Sequence, residues 1–432
     1  MPDTRPIIHW VSPLPPAETD IAHYTRRILP ALSERADLTL WTDSTTWDKE
    51  LEQFCLVRSL NPLQVLPRDM KAFEPCGNRP GTLFINMGNA WMFHAGLLIL
   101  AQRMPSVIVM HELSVQEMFL EAIQKKILRK AEYLSAMHRW YGQKGRIAAT
   151  RALNGTMSAT QLGQDFPGFE LAVEQATAVL THTPAVSKAV ANRGSMPAFQ
   201  LNLPFQASES GRKRQAMMGP LRLVQFGHIG PNRRLEQILD ALAAMGPDFD
   251  FVLDIAGNVW KPDLIKRKCD ALGISAKVRL HGYVPEPHLD ALIAQAHLVF
   301  NLRHPTMGEA SGSQLRIWNA AAASVVSDQG WYAELPRNTV FHIPLDEEII
   351  AMRDLLHRID KDRSLGQSIG QAGRRHLIAH HNPEQYADGI VEVANSSERD
   401  ARDTLFANSA RRFLSQSPDI AQLKRTRWIR IF

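Results

Sequence analysis

The sequence has 432 residues, and single hydrophobic cores rarely grow beyond roughly 250–300 residues, so two domains are expected. Hydrophobic residues make up 45% of the chain and charged residues 22%, and no run approaches the ~20 apolar residues of a membrane-spanning helix. The formal net charge is +5, and no segment matches a nucleic-acid-binding module. We therefore expect neither an integral membrane protein nor a nucleic-acid partner.

The first residues, "MPDTRPIIHWVSPLPP", contain no charged segment that leads into a long apolar one, and no export signal is read from them. Cys55, Cys76 and Cys269 are few and widely spaced, which suits a reducing cytosol and gives no metal-ligand spacing. We expect a cytoplasmic protein without a bound metal ion.

In the first half, short apolar runs alternate with amphipathic helical patterns, which indicates βαβ units around a parallel sheet. The pattern predicts helices over 19–35 and 90–103, and strands over 6–11, 38–41, 82–86, 107–110 and 178–181. A polar segment flanked by prolines follows, and we interpret it as a linker. The alternation then begins again, so a second sheet is expected after it.

The second half predicts strands over 221–227, 251–257, 277–282, 296–302 and 324–328, with helices over 233–245, 261–273, 286–295 and 311–323. This order predicts an α/β protein with two Rossmann-like domains that face each other across a cleft. The expected parts are an N-terminal domain (1–205), a linker (206–220), a C-terminal domain (221–383), and a helix and tail (384–432) that packs back on the first domain.

Basic residues are concentrated in the segment 124–151, where Glu132 is the single acid and Trp140 and Tyr141 lie among them. The basic residues are Lys125, Lys126, Arg129, Lys130, Arg139, Lys144, Arg146 and Arg151. The end of the chain, "LKRTRWIRIF", has a similar mixture. Such a mixture can lie on an anionic lipid surface, so a peripheral position on a membrane is one interpretation. A solvated basic face is the alternative.

Ligands of open parallel sheets bind beyond the carboxyl ends of the strands, so the loops there are the candidate sites. After the strand 221–227, "GHIGPNRRLEQIL" places glycines, His228, Arg233 and Arg234 next to a helix start. Glycine and fixed positive charge beside a helix start favour a phosphate group. An ordinary βα turn is the alternative.

A second loop, "RHPTMGEASGSQLRIW", contains Glu309 just before a predicted helix start near Ser311. The first amides of that helix, at Gly312, Ser313 and Gln314, are expected to be free to bind a diphosphate. A carboxylate accepts several hydrogen bonds at once, so Glu309 is better suited to sugar hydroxyl groups than to phosphate.

Two loops in the first half of the chain also follow predicted strands. In "VIVMHEL", His111 follows an apolar strand at its carboxyl end, where a histidine can reach the cleft. A structural histidine is the alternative. In "SPLPPAETDIAHYTRRILPAL", prolines and an acidic turn that includes Asp20 lead into a helix.

These motifs resemble a known family. "GHIGPNRRLEQIL" and "GYVPEPHLDALIAQAHLVFNLRHPTMGEASGSQLRIWNAAAASVVSDQGWYAELP" are similar to the donor domain of family-4 retaining glycosyltransferases of the GT-B fold. "PLPPAETDIAHYTRRILPAL", "NMGNAWMFHAG" and "MPSVIVMHEL" resemble the N-terminal domain of bacterial members that build surface polysaccharides. The resemblance covers roughly residues 6 to 395, and it implies an acceptor-side first domain and a nucleotide-sugar donor domain after it.

The resemblance implies a role for each matching residue. The two cations that bind the donor diphosphate in the family correspond to His228 and Arg233, together with the helix-start amides at Gly312, Ser313 and Gln314. The nucleotide base is implied to lie near Tyr283 and Val284, in the segment that begins "HGYV".

Four further positions have counterparts in the donor site of the family. The first glutamate of the family pair corresponds to Glu309, which is thereby implied to contact the donor sugar, and the family histidine near the reaction centre corresponds to His111. The second glutamate, which holds the ribose, corresponds to Ile317, and Asp20 lies where the family usually has a glycine near the diphosphate. The last two positions depart from the family pattern.

The resemblance implies a metal-independent, retaining transfer of a sugar from a nucleotide-sugar to a glycan or lipid-linked glycan, with no cofactor. The nucleotide-sugar is a substrate, and its departing diphosphate is stabilised by helix-start amides, Arg233 and His228. Three alternatives remain open: a degenerate, non-catalytic GT-B protein in a glycan-assembly complex, a nucleotide-sugar 2-epimerase, and a nucleic-acid-binding protein with steep salt dependence.

Overall fold

The structure is a computed structural model of the chain, and it describes residues 5–62, 81–193, 196–208 and 219–397. The chain divides into two compact units. The first comprises Met1–Pro204, Met307–Ala310 and Pro383–Phe432, and the second comprises Phe205–Thr306 and Ser311–Asn382. The four residues 307–310, which we expected in the C-terminal domain, therefore belong to the first unit. Of the expected linker 206–220, positions 209–218 lie outside the described residues.

The first unit contains a seven-stranded parallel sheet with the order β3-β2-β1-β4-β5-β6-β7. The strands are β1 (Ile7–Val11), β2 (Asp37–Thr42), β3 (Leu56–Ser59), β4 (Gly81–Met87), β5 (Ser106–Met110), β6 (Ala176–Thr181) and β7 (Ala198–Gln200). Helices cover Asp20–Ser33, Trp91–Ala101, Gln116–Gln124, Lys130–Leu153, Ala159–Asp165 and Pro184–Arg193, with short 3-10 turns at Lys49–Gln53 and Phe169–Leu171. The order runs outward from β1 and β4 in both directions, as in doubly wound folds.

The strands of this sheet are rich in apolar residues, as expected for a sheet that is covered on both faces. All residues of β5 and β6 are buried. Along β1, Ile8 and Trp10 belong to one apolar core and Val11 belongs to another. Successive side chains of a strand point to opposite faces, so the two cores lie on opposite faces of the sheet.

A helix near the end of the chain packs on the first unit. Residues 383–397 are helical. The hydroxyl groups of Tyr386 and Tyr24 are 2.6 Å apart, and Ile390 is buried in the same core as Trp10. The remainder of the expected tail, including its basic end, lies outside the described residues.

The basic segment of the sequence forms most of the helix Lys130–Leu153. Its regular geometry is interrupted at Gly142, where φ is 68°, a value that glycine adopts without strain. Lys144 and Arg146 are exposed, and Ile147 next to them is 52% exposed. No helix in the described ranges is long and apolar enough to cross a membrane.

The second unit contains a six-stranded parallel sheet with the order β10-β9-β8-β11-β12-β13. The strands are β8 (Leu221–Phe226), β9 (Phe251–Ala256), β10 (Val278–Gly282), β11 (Leu298–Phe300), β12 (Ser324–Ser327) and β13 (Phe341–Ile343). Helices cover Leu235–Ala243, Pro262–Ala271, Glu286–Gln295, Gly312–Asn319, Gly330–Ala333, Glu348–Lys361 and Ser364–His380, with 3-10 turns at Pro231–Arg233 and Ser275–Lys277.

All ten predicted strands are present, with ends that differ from the prediction by at most two residues. The sequence analysis did not name β3, β7 and β13, the helices that follow β12 and β13, or the four helices between Gln116 and Arg193. Each of the three missed strands has three or four residues and forms an edge of its sheet.

Candidate functional site

Arg233 lies in the loop after β8, and its guanidinium group is held in the second unit rather than extended into solvent. Only 8% of the residue is exposed, and its Nη1 donates a hydrogen bond to Asn301 Oδ1 at 3.1 Å. Its main-chain oxygen accepts a hydrogen bond from Gln225 Nε2 at 2.7 Å. A Cβ atom at Gly227 would lie 3.6 Å from Arg233 Nη2, so the guanidinium group is next to the glycine turn.

Asn301 connects this loop with the start of the helix Gly312–Asn319. It follows β11, which pairs with β8, so both loops leave the same edge of the sheet. Its Nδ2 donates to Ser311 Oγ at 3.3 Å and to Gln314 Oε1 at 3.0 Å. One buried amide group therefore positions a cation and a helix N-terminus together.

The helix start is where the sequence predicts it, but one of the three predicted amide donors is used internally. Ser311 is the N-cap, and the Gln314 amide donates to the Ser311 hydroxyl oxygen at 3.1 Å. The expectation that Gln314 offers a free amide is therefore wrong. Gly312 and Ser313 are the first two residues of the helix, where amides have no partner four residues earlier in the helix. A Cβ atom at Gly312 would meet no atom within 4 Å.

Arg234, the second arginine of the loop that the sequence suggested for phosphate binding, pairs with a carboxylate of the protein instead. Its Nε and Nη2 donate to Glu348 Oε2 at 2.9 and 2.5 Å, and Glu348 is only 5% exposed. Arg234 therefore stabilises the packing of the helix Glu348–Lys361. His228 is exposed in the same loop, directly after Gly227.

The candidate base-binding residues follow β10, an edge strand of the second sheet. Tyr283 is 76% exposed, so its ring is accessible to a ligand. Val284 is partly buried and packs against the core that contains Phe226 and Ile293. In the same core, Ile317 is fully buried, so the position that corresponds to the ribose glutamate has a packing role here.

In the first unit, His111 directly follows β5, as the sequence predicts. Its Nε2 lies 2.9 Å from Asn86 Oδ1, and its ring centroid lies 4.8 Å from that of Tyr24 and 5.0 Å from that of His182. Burial, and then the neighbouring His182 and His94, hold the pKa of His111 well below its usual value. His111 is therefore a neutral imidazole at physiological pH.

Glu309 belongs to the segment Met307–Ala310 of the first unit. Its Oε2 accepts a hydrogen bond from the Met307 amide at 2.7 Å, and the Met307 carbonyl oxygen accepts one from the Leu113 amide at 2.8 Å. Gly308 has φ of 88°, and a Cβ there would lie 2.8 Å from Leu113 Cβ, so this turn requires glycine. The segment is thus fixed to the strand-end loop that contains His111.

Asp20 is the first residue of the helix Asp20–Ser33, and Thr19 is the N-cap. The Asp20 side chain is exposed. A carboxylate in the first turn interacts favourably with the helix dipole, which accounts for this residue without a ligand.

No group of three or more His, Cys, Asp or Glu side chains in the described part of the chain is arranged to hold a metal ion. The expectation of a metal-independent reaction stays a prediction.

Sequence reasoning missed the two asparagines that organise these sites. Asn301 lies in the apolar run "AHLVFNL", directly after β11, Asn86 lies in "TLFINM", and both side chains are buried. A polar side chain within a buried apolar segment must be hydrogen-bonded, and that rule could have identified both positions. It could not have identified their partners, which are distant in sequence.

The two sheets and their helices have the α/β architecture of GT-B glycosyltransferases, and solved structures of that class are similar to the chain. HepE from Anabaena in complex with UDP aligns with a TM-score of 0.57 and 15% identity, over 90% of this chain and 100% of that one. Sucrose-phosphate synthase from Thermosynechococcus elongatus aligns with a TM-score of 0.59 and 15% identity, over 91% and 99%. WaaG, a glycosyltransferase involved in lipopolysaccharide biosynthesis, aligns with a TM-score of 0.51 and 14% identity, over 88% and 99%.

Residues 233–392 match the family model described as glycosyl transferase-like. This range begins at Arg233 and covers most of the second unit. The resemblance to GT-B glycosyltransferases is confirmed for the fold, and the family match is limited to residues 233–392. A comparison with curated protein sequences finds no match. The assignment to retaining family-4 enzymes stays a prediction.

Proposed function

We propose that this protein transfers a sugar from a nucleotide-sugar to a hydroxyl group of a glycan or lipid-linked glycan, with retention of configuration and without a metal ion. The observation that supports this most is the connection of Arg233, through Asn301, to the start of the helix Gly312–Asn319. A fixed cation beside helix-start amides is the arrangement that a diphosphate requires.

The reaction needs stabilisation of the negative charge that develops on the departing diphosphate. Arg233 and the amides of Gly312 and Ser313 supply it, with His228 as a further contact, because donors that are already oriented need little reorganisation during the reaction. The acceptor hydroxyl approaches the sugar from the face that the diphosphate leaves, and its proton passes to the departing phosphate.

Glu309 and His111 are proposed to contact the donor sugar. A carboxylate accepts several hydrogen bonds, so the contact of Glu309 with the Met307 amide is compatible with further contacts to sugar hydroxyls. Tyr283 and Val284 are proposed to lie near the nucleotide base. The UDP bound in the HepE structure supports a nucleoside diphosphate as the leaving group here.

A panel of UDP-, GDP-, ADP- and dTDP-sugars tests the proposal. A ligand that binds the native state raises its melting temperature, so one nucleotide-sugar and its nucleoside diphosphate are expected to stabilise the protein. NMR of the product formed from that donor then reports the anomeric configuration. If no member of the panel raises the melting temperature or releases nucleoside diphosphate, the proposal is wrong.

We further propose that the enzyme works at the cytoplasmic face of a membrane, in surface polysaccharide assembly. WaaG, which is involved in lipopolysaccharide biosynthesis, supports this context. The exposed Lys144, Arg146 and Ile147 support a contact with anionic lipid. Sedimentation with vesicles containing anionic lipid tests the contact, and equal binding to neutral vesicles would contradict it.

A second candidate function is a non-catalytic role in a glycan-assembly complex. Ile317 favours it, because a fully buried isoleucine cannot bind the ribose. A protein with this role would show no nucleotide-sugar turnover with any acceptor, although it could still bind a nucleoside diphosphate.

A further inference from the structure

Three imidazole rings and one asparagine lie together near the carboxyl ends of the strands in the first sheet; Asn86, His94 and His182 are buried and His111 is partly buried. Asn86 in β4 is fully buried and contacts both His94 and His111. The ring of His182, which follows β6, lies 5.0 Å from the ring of His111. None of the roles proposed above uses Asn86 or His182.

The hydrogen bonds of Asn86 define where the proton of His111 lies. The Asn86 Nδ2 donates to the Val11 carbonyl oxygen at 3.0 Å, so the amide oxygen is the atom that faces His111. An amide oxygen only accepts hydrogen bonds, and therefore His111 Nε2, at 2.9 Å, carries the proton. The neutral ring then has a lone pair on Nδ1, which makes no hydrogen bond within the described part of the chain.

The two neighbouring histidines have the opposite tautomer. His94 Nδ1 lies 3.2 Å from the Asn86 carbonyl oxygen, and His182 Nδ1 lies 3.2 Å from the Leu201 carbonyl oxygen. A carbonyl oxygen requires a donor, so both rings carry the proton on Nδ1. The His182 Nε2 lone pair is buried and has no hydrogen-bond partner among the residues that the structure describes.

The groups that face His111 keep it uncharged. They are the imidazoles of His94 and His182 and the ring of Tyr24, whose hydroxyl pairs with that of Tyr386. Burial lowers the pKa of His94 and of His182 to about 4. All these groups are neutral near pH 7, so no contact of His111 within the described residues provides a negative charge that would favour its imidazolium form.

We propose that Asn86 is a positioning residue that fixes His111 as a hydrogen-bond acceptor, so that His111 Nδ1 binds a hydroxyl group of the substrate. This rests on the proposed function, and it adds to the proposed contact of His111 with the donor sugar the direction of that hydrogen bond. A lone pair repels a carboxylate or phosphate group, so the sugar at this position is recognised through a hydroxyl group. Neutral hexoses fit this requirement, and a sugar with a carboxylate at that position does not.

The tautomers can be measured without any substrate. Long-range proton–nitrogen NMR of the full chain labelled with ¹⁵N-histidine distinguishes Nε2–H from Nδ1–H, and His111→Gln, His94→Gln and His182→Gln assign the signals. The expected result near pH 7.5 is Nε2–H for His111 and Nδ1–H for His94 and His182. An Nδ1–H or imidazolium His111 would overturn the proposal, whether or not the protein transfers sugar.

A second experiment uses the pH profile of transfer by Asn86→Asp. A carboxylate next to Nε2 favours the imidazolium form, so as the pH falls Nδ1 is protonated at a higher pH than in the wild type. The acidic limb of the kcat/KM profile therefore moves to higher pH by about one unit or more. The matched control is Asn154→Asp, an exposed position at the end of the helix Lys130–Leu153, which should leave the profile unchanged. A folded Asn86→Asp enzyme with the wild-type profile would contradict the proposal.

These experiments separate the inference from the proposed function. If the tautomers are as expected but no nucleotide-sugar is turned over, the proposed function fails and the assignment of the His111 proton stands. If Asn86→Asp does not fold, the wild-type NMR spectrum still decides the question.

Discussion

Asn301 accepts a hydrogen bond from Arg233 at 3.1 Å, although the two residues are 68 positions apart in the chain. The same side chain donates to Ser311 and Gln314 at the helix start. The neutral amide can do both because it has an acceptor oxygen and a donor nitrogen. It therefore orients the guanidinium group without neutralising its charge, which a carboxylate at this position would do.

This relationship predicts the effect of Asn301→Asp. The carboxylate would pair with Arg233 and place a negative charge where we propose that the diphosphate binds, so affinity for UDP or GDP should fall at least about tenfold. Calorimetric titration measures the change. The control is Asn319→Asp, which adds the same charge at the other end of the helix Gly312–Asn319. Equal affinity of Asn301→Asp and the wild type would argue against a diphosphate near Asn301.

Arg234→Met should reduce stability rather than nucleotide affinity. The substitution leaves the buried Glu348 carboxylate without its bidentate partner, at a cost of about 1–3 kcal/mol in the free energy of unfolding. Denaturant unfolding measures this cost. The double variant Arg234→Met/Glu348→Leu should recover part of the loss, because no charge is then buried alone. A single variant as stable as the wild type would contradict this interpretation.

The buried histidines predict acid sensitivity of the first unit. His94 and His182 have pKa values of about 4 when folded, because burial disfavours the charged ring, and about 6.5 when unfolded. The unfolded chain therefore binds more protons between pH 6.5 and 4, and stability falls as the pH falls through that range. Each histidine contributes up to about 3 kcal/mol.

Unfolding free energies measured from pH 7.5 to 4.5 test this expectation. His94→Gln should flatten the pH dependence relative to the wild type. His138→Gln is the control, because the His138 side chain is exposed and stays in water in both states. The interpretation is wrong if both variants keep the full pH dependence.

Glu309→Gln should reduce turnover more than nucleotide binding. The amide keeps the size of the side chain but loses a charge-assisted acceptor for sugar hydroxyls, so kcat should fall about 10- to 100-fold. Affinity for the free nucleoside diphosphate should be unchanged, because that ligand has no sugar to contact. Steady-state kinetics and calorimetry separate the two effects. A variant that loses both equally would place Glu309 elsewhere in the site.

The central strands of both sheets could be predicted from the sequence because long apolar runs are visible without tertiary information. Strands β3, β7 and β13 could not, since three or four residues at a sheet edge show neither a long run nor clear alternation. Such a short segment becomes a strand only by pairing with the neighbouring strand of the sheet. The N-cap at Ser311 could be predicted, because "SGSQ" has the serine and glutamine spacing of a capping box.

The sequence predicts where the candidate residues lie relative to the strands, but not which contacts they make. The sequence predicts His111, Arg233 and the helix start at strand ends. It does not reveal that Arg234 pairs with Glu348, 114 residues later, while Arg233 is held by Asn301. Adjacent arginines look equivalent in a sequence, and only the fold decides which partners each of them has.

Calorimetric titration of UDP and GDP into the wild type, Arg233→Ala and Arg234→Met is the decisive test of the proposed diphosphate site. We expect one nucleoside diphosphate to bind the wild type and Arg234→Met with similar affinity. We expect it to bind Arg233→Ala about 10- to 150-fold more weakly, because a hydrogen bond to a charged group is lost. Equal affinity of Arg233→Ala and the wild type, or no binding of either nucleotide to the wild type, would contradict the proposed diphosphate site.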